Sequence, residues 1–172
     1  MTEPRVQEDP AFALLGCYET ALPEVYGYLL ARCGDRVLAE ELTSETFLGA
    51  VAACRKENAP PVSTAWLIGV ARHKLADHWR RTEREQRGLR LVPDAGVEDP
   101  WDERIDALRA RQVLASLTTA HRAVLTLRYV DGLPVGDVAA HLGRTVHATE
   151  GLLTRAKAAF RRSYQGKEGR DD

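Results

Sequence analysis

Apolar residues recur at three- and four-residue intervals along most of the chain, and no segment sustains the period-two alternation of a half-buried strand. From Phe12 to Arg32 the inward positions of a helix are Leu14, Leu15, Tyr18, Leu22, Val25, Tyr26 and Leu29, and Cys33-Gly34 supplies the stop. A second helix is predicted over 36–55, with Val37, Leu38, Leu42, Phe47, Leu48 and Val51 inward. Asn58-Ala59-Pro60-Pro61 breaks the chain. Ser63 or Thr64 caps a third helix that reaches about Arg81 and turns Trp66, Leu67, Val70, Leu75 and Trp79 inward. Residues 83–103 carry two glycines and two prolines and no helical apolar stripe, which marks a linker. Helices follow at about 103–115, 120–130, 135–142 and 146–164, punctuated by Asp131-Gly132 and Gly143. The expected architecture is all-α: a domain over 10–82, a flexible linker over 83–103, a second domain over 104–164 and a disordered tail over 165–172.

Charge changes this picture by position rather than in total. The net charge is −1, yet residues 1–50 hold 3 basic and 9 acidic side chains. Residues 66–92 hold 7 basic against 3 acidic, and residues 144–172 hold 7 against 4. Residues 93–110 return to acid, with 6 against 2. The basic stretches suit a polyanion; the acidic ones suit a basic protein surface, and ordinary solvated helix faces account for either. Arginine (20) far exceeds lysine (4), which favours bidentate and stacked contacts over point charges.

Several classes of function are excluded. No apolar run approaches the roughly 20 residues of a membrane span, and the opening MTEPRVQEDP has no signal core. Cys17, Cys33 and Cys54 are too few and too scattered for a disulfide framework or a thiolate metal site, which points to a reducing cytoplasm. HExxH, GxSxG and glycine-rich phosphate loops are absent from the sequence. His73 and His78 stand about 140° apart on a helix and cannot share a metal. His121, His141 and His147 lack ligand spacing. The chain is expected to need no cofactor and no metal, and to be no enzyme.

Residues 135–156 have the spacing of a helix-turn-helix. Val138 and Leu142 form an apolar face, Ala139 permits close approach, and Gly143 can take the positive φ of the turn. Ala148, Leu152 and Leu153 face inward on the second helix, while Thr145, His147, Glu150, Thr154, Arg155 and Lys157 face out. Such a helix fits a major groove, although a three-helix bundle without DNA produces the same pattern.

With these pieces in place, residues 117–160 resemble the C-terminal domain of bacterial sigma factors of the extracytoplasmic-function group. The matching pieces are LTTAHRAVLTLRYVDGL (117–133), DVAAHLG (137–143) and LTRAKAAF (153–160). In the first half, AEELTSETFLGA (39–50) is similar to the family's core-binding helix and AWLIGVARHKLADHWRR (65–81) to its promoter-melting helix. The resemblance covers about residues 12–164, in order and with the expected linker.

The resemblance implies a subunit that binds core RNA polymerase, directs it to a promoter and helps open the duplex. The core-binding residues it implies, on the polymerase clamp helices, are Glu40, Glu41, Leu42, Glu45, Phe47 and Leu48. For the −10 element they are Arg55, Lys56, Asn58, Arg72, His73, Lys74, Asp77, Arg80 and Arg81, since guanidiniums and pockets capture extruded bases and neutralise the strand. His73 stands where an asparagine is common; Trp79 stands at a usually aliphatic position and, like Trp66, is assigned to the core.

For the −35 element the implied set is Arg144, Thr145, His147, Thr149, Glu150, Thr154, Arg155 and Lys157, with Arg161 and Arg162 also available to phosphates. Here the chain departs from the family. Ala148-Thr149-Glu150-Gly151-Leu152 replaces a usual Thr-Val-Lys-Ser-Arg, so Glu150 and Leu152 displace two cations. An altered or weakened −35 preference follows, with a shallower salt dependence. The linker's acidic residues (Asp94, Glu98, Asp99, Asp102, Glu103) would either mimic nucleic acid or form a solvated tether. Expected partners are core polymerase, promoter DNA and an anti-sigma factor, in the cytoplasm and on the nucleoid when active, without membrane insertion. The alternatives are a sigma-like protein-interaction regulator with weakened −35 reading and, explaining 117–160 only, a helix-turn-helix repressor.

Overall fold

A computed structural model of the protein describes residues 9–88 and 107–166. Their regular structure is helical throughout: α1 (Pro10–Cys33), α2 (Arg36–Cys54), α3 (Thr64–Arg87), α4 (Ala107–Ser116), α5 (Thr119–Leu125), α6 (Val135–Leu142) and α7 (Val146–Gln165). A π-helical turn, Thr126–Val130, extends α5. The chain packs as two compact units that divide between Leu75 and Ala76, inside α3.

In the first unit, α1 and α2 form a hairpin. Asp9 caps α1 by accepting from the Ala11 N–H at 2.9 Å, and Asp35 caps α2 through the Leu38 N–H at 3.1 Å. Between them Gly34 takes φ 69°, the left-handed turn that ends α1. Leu14, Ala21, Val25, Leu29 and Cys33 are the buried side of α1. Leu15 and Tyr18, expected inward, are exposed, although Tyr18 keeps an edge contact to Phe47 with ring centroids 4.9 Å apart.

On α2 the expected inward set divides, with Leu42 buried and Leu38 and Phe47 half-buried. Its buried residues are Ala39, Leu42, Thr43, Thr46, Ala50 and Cys54, whereas Val37, Leu48 and Val51 are exposed. Small residues let the neighbouring helices approach closely. The two buried threonine hydroxyls are satisfied within the helix, Thr43 donating to the Ala39 carbonyl at 2.6 Å and Thr46 to that of Leu42 at 2.7 Å. Close approach is visible at Gly49, where an added Cβ would meet Cε of Lys74 at 3.4 Å and Cγ1 of Val70 at 3.7 Å.

Ser63, accepting from the Trp66 N–H at 3.2 Å, begins α3. The helix runs to Arg87 rather than Arg81, so residues 83–87 are helix where a linker was expected. A polar helix needs no apolar stripe if its residues are good helix formers and pair along the axis. Glu83 accepts from Arg87 one turn on at 2.8 Å, and the Thr82 hydroxyl donates to the His78 carbonyl at 3.0 Å. The rest of the expected linker and most of the expected tail lie outside the described residues.

The second unit contains the end of α3 and α4–α7. Val113, Leu117, Ala123, Val124, Leu125 and Leu127 pack with Val138, Ala139, Leu142, Leu152, Leu153, Ala156 and Phe160 in its core. Trp79 is also buried, in keeping with the core role assigned to it, whereas Trp66 is half-buried. The π turn is closed by the Asp131 N–H on the Thr126 carbonyl at 2.9 Å, and Arg128 clasps the Leu133 carbonyl at 2.9 Å. Arg109 of α4 lies 4.3 Å from the Tyr164 ring centre and donates to the Tyr164 carbonyl, tying α4 to the end of α7.

Candidate polymerase and nucleic-acid interfaces

On α2, burial of residues 39, 42, 43, 46, 50 and 54 directs the opposite side to solvent. At 100° per residue, Val37, Glu41, Ser44, Leu48 and Val51 fall within about 80° of one another. Val37 is 74% and Leu48 70% exposed, and Glu40 flanks the stripe. The predicted polymerase-contacting set therefore separates. Glu40, Glu41 and Leu48 lie at the surface, Glu45 and Phe47 are half-buried, and Leu42 is core at 1% exposure, packed inside the first unit. Val37 and Val51, taken as core from their hydrophobicity, join the surface instead. The larger apolar side chains lie on the outer face, so hydrophobicity points the wrong way; the signal is the spacing of the small residues Ala39, Thr43, Thr46 and Ala50.

Of the residues expected at the −10 element, Arg55 ends α2 as its C-cap, and Lys56 and Asn58 are exposed in the turn that follows. On α3, Arg72 and Lys74 are half-buried and His73 is exposed. Farther along the same helix, Arg81 is exposed, while Arg80 forms an ion pair with Asp77.

The turn between α6 and α7 has helix-turn-helix form. Gly143 adopts φ 61°, its N–H returning to the end of α6, and Thr145 caps α7 through the Ala148 N–H at 3.1 Å. Residues 149, 152, 153, 156 and 160 are buried along α7. Val146, His147, Ala148 and Glu150 are exposed at its start, with Thr154, Arg155 and Lys157 half-buried on the following turns.

Three expectations are corrected by this register. Thr149 is fully buried and its hydroxyl donates to the Thr145 carbonyl at 2.9 Å, so it offers nothing to a base. Ala148 faces outward. Leu152 is 4% exposed and belongs to the core, as its spacing predicted, so what is corrected is its reading as a missing phosphate contact; the cation deficit at this surface rests on Glu150 alone.

The basic residues around this turn have partners of their own. The Lys157 ammonium lies 5.7 Å from the centre of the Tyr129 ring, and Arg128 lies 5.9 Å from the same ring. Arg144 pairs with Glu83, both about four-fifths buried at the side chain.

Burial pushes the Cys54 thiol up, with the charges of Asp9 and Cys17 adding to it, so it stays protonated and unreactive at neutral pH. Among the described residues no cluster of His, Cys, Asp or Glu could hold a metal, and no helix is long and apolar enough to cross a membrane.

Against known proteins, Sigma-70 region 2 matches residues 17–85 and Sigma-70, region 4 matches residues 107–160. The chain is 34% identical over 136 residues to the ECF RNA polymerase sigma factor SigC of Mycobacterium tuberculosis, covering 76% of this chain and 72% of that one. It is 31% identical over 155 residues to the ECF RNA polymerase sigma factor SigD of the same organism, covering 84% and 73%. In fold it is similar to the sigma factor RpoE of Bartonella quintana, solved with the anti-sigma factor NepR. That match has a TM-score of 0.54 at 19% identity and covers 92% of this chain and 98% of that one.

Proposed function

The chain belongs to the extracytoplasmic-function sigma factors of the sigma-70 family, and from that membership we propose how α2, α3 and α7 divide the work of a transcription initiation factor. The observation that carries the assignment is the outward side of α2. A helix that buries alanine and threonine while leaving Val37, Leu48 and Val51 in water is built for a partner. The acidic Glu40 and Glu41 beside them suit a basic helical surface on core polymerase. Arg55, Lys56, Asn58, Arg72, His73, Lys74, Asp77, Arg80 and Arg81 serve the −10 element, where opened bases and a bare strand need cations and pockets. His147, Glu150, Thr154, Arg155 and Lys157 serve the −35 element from the start of α7. Such a factor adds no catalysis of its own and works in the cytoplasm, on the nucleoid when active. An anti-sigma factor covering the exposed apolar residues of the first unit would hold it inactive.

Run-off transcription with purified core polymerase tests the assignment. Promoter-dependent product is expected from the wild type, and none from a Val37→Glu/Leu48→Glu chain that still melts like the wild type. Because Glu150 puts a carboxylate where phosphates approach, a second outcome has meaning. Core binding without product would identify the chain as a protein-interaction regulator with weakened −35 reading.

A further inference from the structure

Within the second unit, the last turns of α3 and the α6–α7 turn border an open cavity of about 300 Å³. Arg80, Arg84, Arg87 and Arg144 line it, together with Glu83 and the backbone bend at Gly143. We propose that this cavity is a binding site for a small phosphate-bearing anion, a phosphate monoester or free phosphate.

Charge balance is the first argument. Four guanidiniums line the cavity, whereas two carboxylates answer them: Glu83 pairs with both Arg87 and Arg144, and Asp77 with Arg80. Two positive charges are left over, and Arg84 has no carboxylate partner among the described residues. A monoester dianion supplies two compensating charges; a phosphodiester of nucleic acid supplies one.

The second argument is presentation. Arg80, Arg84 and Arg87 follow one another at three- and four-residue spacing and so project from one side of α3. Glu83 holds Arg144 from across the cavity, and Nη1 of Arg80 stands 3.2 Å from where a Cβ would sit on Gly143. Arg80, Arg87 and Arg144, each held by a carboxylate, lose little freedom on forming paired hydrogen bonds to phosphate oxygens, and Arg84 adds an uncompensated charge beside them. The third argument is size. The volume lies at the lower end of small-molecule sites, ample for a phosphate with a modest substituent and too small for a folded partner. Arg80 is shared with the set proposed for the −10 element, whereas Arg84 and Arg87 are not, so their replacement tests the site apart from the promoter assignment.

Calorimetric titration of the full chain at constant ionic strength, with inorganic phosphate and with AMP, tests it. Saturable binding of both is expected, and none of adenosine. Arg84→Gln and Arg87→Gln should each weaken phosphate binding about tenfold or more, while Arg111→Gln, an equal loss of charge on α4, should leave it unchanged. Circular dichroism establishes that the variants are folded, and Arg84 and Arg87, both exposed, can be replaced without disturbing the core. Heats that follow ionic strength alone, equal loss in Arg111→Gln, or binding of a short oligothymidylate without terminal phosphate in preference to AMP would overturn the proposal. Loss of transcription in vitro would bear on the sigma assignment and leave this titration unaffected.

Discussion

Neighbouring residues on α7 have opposite fates. Glu150 is exposed one position after a buried threonine, while Leu152 is packed away two positions later. Replacing Glu150 with Lys should therefore change promoter binding and leave stability alone. The logarithmic salt dependence of −35 duplex binding should steepen by about one unit as one more phosphate contact forms. Fluorescence anisotropy across a chloride series measures it. Leu152→Arg, which restores the residue common in the family, should do the reverse. It should cost about 2–5 kcal/mol of stability, the range for losing a core leucine, and gain no phosphate contact. Urea unfolding followed by circular dichroism decides that. The alignment of motifs put both positions on one surface; the helical register separates them, because Thr149 can be buried once its hydroxyl is satisfied by the Thr145 carbonyl. A threonine that bonds back to its own helix behaves as a small apolar residue, and nothing in its name reveals which role it takes.

At the scale of elements, the helix starts and stops were legible because they depend on local chemistry. Asp35, Ser63 and Thr145 accept from N–H groups three residues on, and Gly34 and Gly143 turn left-handed where the periodic pattern ends. The face of α2 was not legible, since both of its sides carry apolar residues and the larger ones are those left in water. The end of α3 was missed for a related reason: a run of Glu, Gln and Arg holds a helix through pairs such as Glu83–Arg87 without any core-facing stripe. Because the large apolar side of α2 is solvated, Leu48→Glu should shift the melting temperature by little. The same change should abolish retention of core polymerase in a pull-down, whereas Leu42→Glu should unfold the first unit.

For the whole molecule, pH and salt act on different parts. The folded chain holds the Cys54 proton above the pH at which an unfolded thiol releases it. The stability linked to this group is complete below the ordinary thiol range and declines as pH rises through and beyond it. Urea midpoints at pH 8 and pH 10 should therefore fall more for the wild type than for Cys54→Ala. Charge segregation along the chain, acidic through α1 and α2 and basic along α3 and after Gly143, makes promoter association weaken with salt. The all-helical plan and the order of helices around the α6–α7 turn were readable from periodicity. The division into units inside α3 was not, because it depends on which long-range contacts a continuous helix makes with each end of the chain.

The π turn at Thr126–Val130 acts as a spacer of one residue. Widening the coil there turns the Tyr129 and Val130 side chains outward and sets the angle at which the chain leaves for Leu133 and α6. Deleting Tyr129 would let the segment relax to ordinary α-helix, rotating everything downstream by about 100°. The Arg128 clasp on Leu133 would slip out of phase, and the end of α7 proposed to meet the −35 element would be delivered askew. A chain so shortened should keep its helical circular dichroism yet lose −35 duplex binding, the mark of a skeleton whose calibration rests on one surplus amino acid.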